Sequence, residues 1–341
     1  MTTFINIHAL ISHPSSMMNR DDAGLQKTAV FGGSLRSRIS SQCLKRAIRN
    51  SDVYREAVEE TSIRTNKVDE LLALCKEQMP DTDGKLIEDV LLNLGSKAKP
   101  VKNKETGETS RQFDAVQPYA IGAIREAVNR VQAGTPLKEL KKMVHIPTYD
   151  VALSGRMDAS CTERNVEAAM SVAHSLTTHA ADIEVDWFTA CDDLAEQGSG
   201  HIGTTEFSSG VFYRYASINV DLLAANVKAS LSDVQPIINT LIRCFAQVTP
   251  DAKQKVFAAH NSAEFIMAVQ SNQPLSLANA FRTPVDNTGA VMEDSITALG
   301  KHYEKLTAAY ELSSHAKALD LTGTLQSEKI AQVNTISDLH F

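Results

Sequence analysis

The stretch "FGGSLRSRISSQCLKRAIRN" (residues 31–50) places a strand directly before an amphipathic helix. Its "LRSRIS" segment alternates apolar and polar residues, which predicts a β-strand. Ser40 or Ser41 then offers a side-chain oxygen to cap the following helix, with Ile39 as the apolar residue of a hydrophobic staple. A strand that leads into a capped helix predicts a fold that mixes sheet and helix.

The helix "SQCLKRAIRN" has two different faces. At about 100° per residue, the polar residues of one face are Gln42, Lys45, Arg46 and Arg49. Leu44, Ala47 and Ile48 lie on the opposite face, which predicts that this side packs. The helix N-terminus adds N–H donors and a positive dipole, so the junction between strand and helix is predicted to hold phosphates.

This basic segment lies in an acidic protein. The chain has 341 residues, with 34 Lys+Arg against 41 Asp+Glu and a formal net charge of −7. Residues 23–51 contain no acid, and their basic residues are Lys27, Arg36, Arg38, Lys45, Arg46 and Arg49. Because binding of a polyanion depends on the local patch, this strip predicts a nucleic-acid surface despite the net acidity.

The remaining sequence predicts an α+β fold with a helical insertion. "FINIHALIS" (residues 4–12) is a predicted strand with Ile5 and Ile7 on one face. Helical periodicity dominates residues 51–147, interrupted by a lysine-rich loop at 96–112. We predict further strands at 148–157, 211–220, 255–261 and 264–270, and helices at 165–179, 234–248 and 295–312. The turn-rich residues 177–211 predict a long hairpin or a projecting loop.

Three motifs suggest chemistry, but each has a simpler interpretation. "GSGHIG" (198–203) matches the dinucleotide fingerprint, yet no strand precedes it and no helix follows, which favours a hairpin tip. His174 and His179 are not spaced as a helical ligand pair, which favours capping or surface roles. Asp21 and Asp22 are candidate metal-binding carboxylates, but we expect them to pair with Arg20 or Lys27.

The aromatic pair Trp187 and Phe188 in "DWFTA" allows two interpretations. Most large aromatic side chains are buried, which predicts that both belong to a core. The pair lies, however, in a polar and glycine-rich stretch, where a ring that stacks on a nucleobase would also fit. The sequence leaves both possibilities open.

Compartment and cofactor signals are few. The N-terminus lacks a signal peptide, and no apolar run approaches the roughly 18 residues of a membrane span. The five cysteines include no C-x-x-C pair, which suits a reducing compartment and neither a disulfide framework nor a zinc ribbon. These observations predict a cytoplasmic protein without a membrane partner, metal or other cofactor.

Many segments together resemble the CasC family, the repeated backbone subunits of the type I-E CRISPR surveillance complex called Cascade. The resemblance is dense over residues 4–49, 150–157, 174–215 and 250–281, and it is thin over 51–149 and after about residue 290. Its motifs are "FINIHALISH", "NRDDAGLQK", "FGG", "RISSQCLKRAIR", "VALSGRM", "AHSLTTH", "DWFTACDDL", "GTTEFSSGVFYRYASIN", "AKQ" and "LSLANAF". Such an ordered series is far more specific than any single motif.

The resemblance implies a hand-shaped subunit. It assigns residues 1–50, 148–176 and 212–341 to a discontinuous palm with a modified RRM or ferredoxin-like sheet. Residues 51–147 would form helical fingers and residues 177–211 a hairpin thumb. Several copies would assemble as a helical oligomer along one CRISPR RNA, with other Cascade subunits, and present the guide to target DNA in antiviral defence.

The resemblance also implies site residues. The side chains implied to hold guide phosphates and sugars are Arg20, Lys27, Ser40, Gln42, Lys45, Arg46 and Arg49. Met157, Phe188 and Thr189 are implied to bracket a kinked base. Lys138, Lys141 and Lys142 are candidates for contacts with target DNA, although the sequence match is poor there.

The resemblance implies that the chain is not an enzyme. The related type III backbone cuts RNA with an acidic loop residue and a metal, so the alternative is a ribonuclease that uses Asp21 or Asp22. A third possibility, a small-molecule enzyme, has no supporting set of residues.

Overall fold

The chain folds into two units, each with a sheet and a hydrophobic core. A computed structural model describes residues 2–58, 60–103, 105, 107–142, 147–159, 161–191 and 199–341. The first unit comprises Met1–Ala57, Met170–Asp221 and Gln235–Phe341, and the second comprises Val58–Ala169 and Leu222–Val234. The mixture of strands and helices confirms the predicted α+β class.

Strands and helices are numbered here in chain order. The strands are β1 (Phe4–Ser16), β2 (Thr28–Phe31), β3 (Ser34–Ile39), β4 (Ile63–Lys67), β5 (Ala98–Lys102), β6 (Thr109–Tyr119), β7 (Met170–Val172), β8 (Ser175–Thr177), β9 (Glu184–Cys191), β10 (Ser199–Asn219), β11 (Phe265–Ser271), β12 (Ser314–Asp320) and β13 (Ile330–Val333). The helices are α1 (Ser41–Asn50), α2 (Asp52–Ala57), α3 (Val68–Gln78), α4 (Gly84–Leu94), α5 (Ile121–Gln132), α6 (Tyr149–Ser154), α7 (Val220–Val227), α8 (Leu231–Gln247), α9 (Gln254–Phe257) and α10 (Val291–Ala309). Every helix within the described ranges is too short or too polar to span a lipid bilayer.

The large sheet of the first unit is built around β1. Its order is β13-β12-β11-β1-β10-β8-β3-β2, and β7 and β9 also pair with β10. Strand β1 is antiparallel to both neighbours, so that Ile7 lies opposite Ala216 on one side and Ala268 on the other. Both faces of β1 are covered, because Asn6 and His8 are as buried as Ile7 between them. The hydrogen bond from Asn6 Nδ2 to Ser271 Oγ (2.8 Å) satisfies one such buried polar group.

Strand β10 belongs to both the main sheet and a hairpin. Its C-terminal part pairs with β1, whereas residues 199–207 pair with β9. The hairpin predicted within 177–211 is therefore formed by β9 and the first part of β10, and residues 192–198 lie outside the described ranges. Gly200 and Gly203 of the fingerprint-like motif lie in β10, which continues as a strand to Asn219. A dinucleotide fingerprint would require a helix at that point.

The second unit is not purely helical. Helices α3, α4 and α5 form a core with a three-stranded sheet in the order β4-β6-β5. The predicted lysine-rich loop at 96–112 instead forms β5 and the start of β6. Sequence periodicity missed β5 because its side chains are almost all exposed. Residues 148–169 and 222–234, which we assigned to the palm, group with this unit.

Three further local predictions were wrong. The predicted strand at 148–157 is helix α6, which ends at Gly155 with a φ of +79°. The predicted helix at 165–179 contains β7 and β8, because both pair with β10. The predicted strand at 255–261 begins with the last residues of α9. At 165–179, pairing with β10 outweighs the local helix propensity. The other two segments are short, and periodicity alone does not separate a short strand from a short helix.

Candidate nucleic-acid interface

Helix α1 begins as the sequence predicts. The Ser40 hydroxyl accepts a hydrogen bond from the Cys43 backbone N–H (3.3 Å), so Ser40 is the N-cap. Ile39 and Leu44 are buried in the same apolar cluster, as a hydrophobic staple requires. Ser40 is itself buried, so its hydroxyl fixes the start of the helix that carries the basic side chains.

The N-terminal N–H groups of α1 are less available than we predicted. The Ser41 N–H donates to His174 Nδ1 (3.0 Å), and the Cys43 N–H donates to Ser40. Burial lowers the pKa of His174, and the nearby cations Arg38 and Lys27 lower it further. His174 is thus held as a neutral acceptor, which confirms the predicted capping role. An anion at this junction would therefore be contacted mainly by side chains, and less by the N–H groups of the helix.

The two faces of α1 are confirmed. Leu44 and Ile48 are buried, whereas Gln42 and Arg46 are exposed. Lys45 and Arg49, on the same side as Arg46, are half-buried. The structure therefore gives the helix an apolar side and a polar side with three cations.

A groove in the first unit joins α1 to two distant segments. It has a volume of about 380 Å³, and its lining residues are Arg20, Cys43, Arg46, Ala47, Pro250, Asp251, Ala252 and Lys253. The groove thus brings together two predicted site residues, Arg20 and Arg46, which lie in separate segments of the chain. Burial raises the pKa of the Cys43 thiol, while the positive charges of Lys27, Arg214 and Arg46 oppose that shift. The groove is a cationic environment large enough for part of a nucleotide chain.

Lys253 is a groove residue to which we assigned no role from the sequence. It has a left-handed backbone, with a φ of +54°, immediately before α9. The neighbouring Gln254 fixes this turn, because its side-chain amide donates to the Pro250 carbonyl (3.0 Å). The only signal was the "AKQ" motif, which contributed to the resemblance. Left-handed backbone is uncommon for a residue other than glycine. Such strained conformations cluster at functional sites, which supports a role for Lys253 in the groove.

Arg36 does not belong to the basic surface, although it was counted in the basic strip. Its side chain is 0% exposed. The guanidinium donates to the carbonyl oxygens of Thr177 (2.8 Å), His179 (3.3 Å) and Phe281 (2.8 Å). These contacts tie β3 to the end of β8 and to the 3-10 helix Ala278–Phe281. The acid-free strip of residues 23–51 therefore contains one buried, structural arginine in addition to its surface cations.

Asp21 has a local structural role. Its carboxylate accepts hydrogen bonds from the backbone N–H groups of Ala23 and Leu25, both at 2.9 Å. The expected ion pairs of Asp21 or Asp22 with Arg20 or Lys27 are absent from the described part of the chain, which corrects that prediction. Nor do three His, Cys, Asp or Glu side chains meet as a metal site within the described ranges.

The hairpin of β9 and β10 carries its aromatic rings outside any core. Trp187 is 73% exposed and Phe188 is 42% exposed, so the core interpretation of this pair is wrong. Phe188 is opposite Gly203, and its ring covers that glycine. Trp187 and Thr189 point to the other face, because side chains alternate along a strand. The predicted site residues Phe188 and Thr189 therefore lie on opposite faces of the hairpin.

The other predicted site residues belong to the second unit. Met157 is 84% exposed, and its carbonyl accepts a hydrogen bond from Gln117 Nε2 (2.9 Å). Lys138 is exposed in the 3-10 helix Leu137–Lys142. The side chains of Lys141 and Lys142 lie outside the described residues.

This fold is similar to that of subunits in CRISPR surveillance complexes. A chain of the complex described as "CRISPR RNA-guided surveillance complex, pre-nicking" matches with a TM-score of 0.83 and 25% identity, over 98% of this chain and 97% of that one. A chain of a "CRISPR RNA-guided surveillance complex" shares the fold with a TM-score of 0.65 and 23% identity, over 98% and 96%. The family model described as CT1975-like protein (Cas_CT1975) matches residues 5–340, so the chain belongs to this family. Among curated proteins, no sequence matches significantly.

Proposed function

We propose that this chain is a CasC-type backbone subunit of a type I-E Cascade complex that binds CRISPR RNA. The observation that carries the proposal is the groove lined by Arg20, Arg46 and Lys253. Its cations come from three separate segments, two of them within predicted guide-binding motifs. Family membership and the similarity to surveillance-complex chains support the same function.

The groove would hold the guide by its backbone. Arginine and lysine side chains bind phosphates through charge-assisted hydrogen bonds that carry little sequence information. A subunit that serves any spacer sequence needs this kind of contact. Lys27, Gln42, Lys45 and Arg49 would extend the contacts along the same side of the first unit.

The hairpin would act on the bases. An exposed ring such as Phe188 can stack on any base, since every base presents a π-face. We propose that Phe188 stacks on a base displaced from the strand. Thr189, on the opposite face of the hairpin, and Met157, in the second unit, are separate candidates for contacts with RNA. The intervening bases would stay available for pairing with target DNA, with Lys138, Lys141 and Lys142 as candidate DNA contacts.

The subunit would act as a scaffold and not as an enzyme. Repeated contacts between copies along one RNA would be head-to-tail, and such contacts build an open helical assembly unless the ends are capped. The guide's length and the other Cascade subunits would provide that limit. The ribonuclease alternative would rest on Asp21 or Asp22, but the Asp21 carboxylate is engaged by two backbone N–H groups.

Purification of the tagged protein from its host tests this proposal. We expect it to co-purify with other Cascade subunits and with RNA whose sequence combines a spacer with repeat-derived ends. Recombinant protein should also bind unrelated single-stranded RNAs with similar affinity. Purified protein that carries no RNA and binds none in the second assay would contradict the proposed function.

A further inference from the structure

The groove contains one acidic side chain among its cations. Asp251 lines it together with Arg20, Arg46 and Lys253, and it is exposed. Within the described residues, its carboxylate forms no ion pair of 4 Å or less with these or other cations. The carboxylate is thus available to a molecule that enters the groove.

A carboxylate is unexpected in a site for phosphates. An ionised aspartate only accepts hydrogen bonds, as does each phosphate oxygen, so the two groups repel each other. Phosphate binding alone would be stronger without Asp251. Its presence is explained if the ligand also offers a hydrogen-bond donor near the phosphates.

In a nucleic-acid backbone, the 2′-hydroxyl is that donor. The phosphates and the ester and ring oxygens only accept, and DNA lacks the 2′-hydroxyl altogether. Amino groups of the bases also donate, but contacts with them would make binding depend on base identity. We propose that Asp251 accepts a hydrogen bond from a ribose 2′-hydroxyl and so selects RNA over DNA in this groove. This inference rests on the proposed function of the groove.

The backbone around Asp251 supports such a role. The Asp251 carbonyl accepts a hydrogen bond from the Gln254 N–H (3.3 Å), and Gln254 also anchors Pro250. Asp251 and Lys253 thus flank one residue of a fixed turn. One side chain would contact the 2′-hydroxyl while the other contacts a neighbouring phosphate.

The test compares oligonucleotides that share one sequence but differ at the 2′ position. Binding of RNA, DNA and 2′-fluoro RNA is measured at one salt concentration by fluorescence anisotropy. The 2′-fluoro strand keeps an RNA-like sugar conformation but cannot donate a hydrogen bond. We expect the wild-type protein to prefer RNA over both other strands by about tenfold, as the loss of a charge-assisted hydrogen bond implies.

Asp251→Ala should remove most of that preference, and it should tighten DNA binding because a repulsive charge is lost. Asp251→Asn keeps the size of the side chain and serves as a second variant. Glu328→Gln is the control, since Glu328 is exposed and does not line the groove. Repeating the comparison with homopolymers distinguishes base contacts from sugar contacts.

The outcomes separate the inference from the proposed function. If wild type and Asp251→Ala show the same ratio of RNA to DNA affinity, Asp251 does not read the 2′-hydroxyl, although the groove still binds nucleic acid. A preference that changes with base identity would also overturn the inference. If the wild-type protein binds none of the strands, the proposed function itself fails.

Discussion

The ring of Phe188 lies over the backbone of Gly203, its cross-strand partner in the hairpin of β9 and β10. A Cβ atom at position 203 would lie 2.5 Å from Phe188 Cζ, which is closer than such atoms approach. The glycine therefore fixes where the ring rests on this face.

Gly203→Ala should displace the Phe188 ring without unfolding the protein, because Phe188 and its neighbours Trp187 and Ile202 are exposed and belong to no core. We expect this variant, like Phe188→Ala, to weaken the periodic pattern of chemical reactivity along bound RNA. Gly289→Ala is the matched control, since a Cβ there meets no atom within 4 Å. A melting temperature that falls sharply in Phe188→Ala would show instead that the ring supports the fold.

The buried and exposed arginines of the basic strip should respond differently to the same substitution. Arg36→Met removes a donor from three buried carbonyl oxygens, of which only that of His179 keeps a second side-chain donor, the Thr177 hydroxyl. We therefore expect the free energy of unfolding to fall by about 3 kcal/mol. Arg46→Met should change stability by less than about 0.5 kcal/mol but weaken RNA binding. Urea unfolding and RNA titration of both variants test the distinction. Equal loss of stability in the two would contradict the assigned roles.

Lys253 should contribute one phosphate contact. Lys253→Asn removes the charge and suits the left-handed backbone, which asparagine tolerates. We expect weaker binding for all RNA sequences and a decrease of about 0.7 in the slope of log affinity against log salt. Lys255→Asn, two residues away and outside the groove lining, is the control. An unchanged slope in Lys253→Asn would remove Lys253 from the site.

Stability should fall in acid because of buried histidines. Burial lowers the pKa of His8 to about 3, and burial followed by Arg214 lowers that of His13 to about 3. The unfolded chain binds a proton at each histidine below about pH 6.5, so it holds more protons than the folded chain between about pH 6.5 and 3. Each histidine should therefore lower the free energy of unfolding by up to about 1.4 kcal/mol for each unit by which the pH falls within this window.

The variant His8→Phe keeps a ring that can stack on Tyr213 and on Tyr215 but has no proton to bind. In urea unfolding across this pH range, the free energy of unfolding should depend less steeply on pH for the variant than for the wild type. Parallel curves for the two proteins would mean that His8 does not titrate differently on unfolding.

Purified protein should leave RNA intact in the presence of Mg²⁺ or Mn²⁺. We expect several copies to bind one labelled single-stranded RNA, as seen by sizing, with no fragments on a denaturing gel. Catalysis of phosphodiester cleavage usually requires charge stabilisation by metal ions at the phosphate. Metal-dependent cleavage that Asp21→Ala or Asp22→Ala abolishes would establish the ribonuclease alternative.

The sequence alone determined the features that are encoded locally. The cap at Ser40, the two faces of α1 and the strand character of β1 follow from residues within one or two helical turns or strand repeats. The α+β class followed from the same patterns. The CasC resemblance also came from the sequence, because ordered motifs survive where periodicity is ambiguous.

Only the tertiary structure decided which charges share a surface. Arg36 and Arg46 are equivalent in composition, but strand pairing buries Arg36 among carbonyl groups while α1 exposes Arg46. Lys253 joins Arg20 and Arg46 across more than two hundred residues of chain. β5 exists because β6 pairs with it, although its own side chains are exposed. Such arrangements depend on long-range hydrogen bonds and packing, which no local pattern of residues specifies.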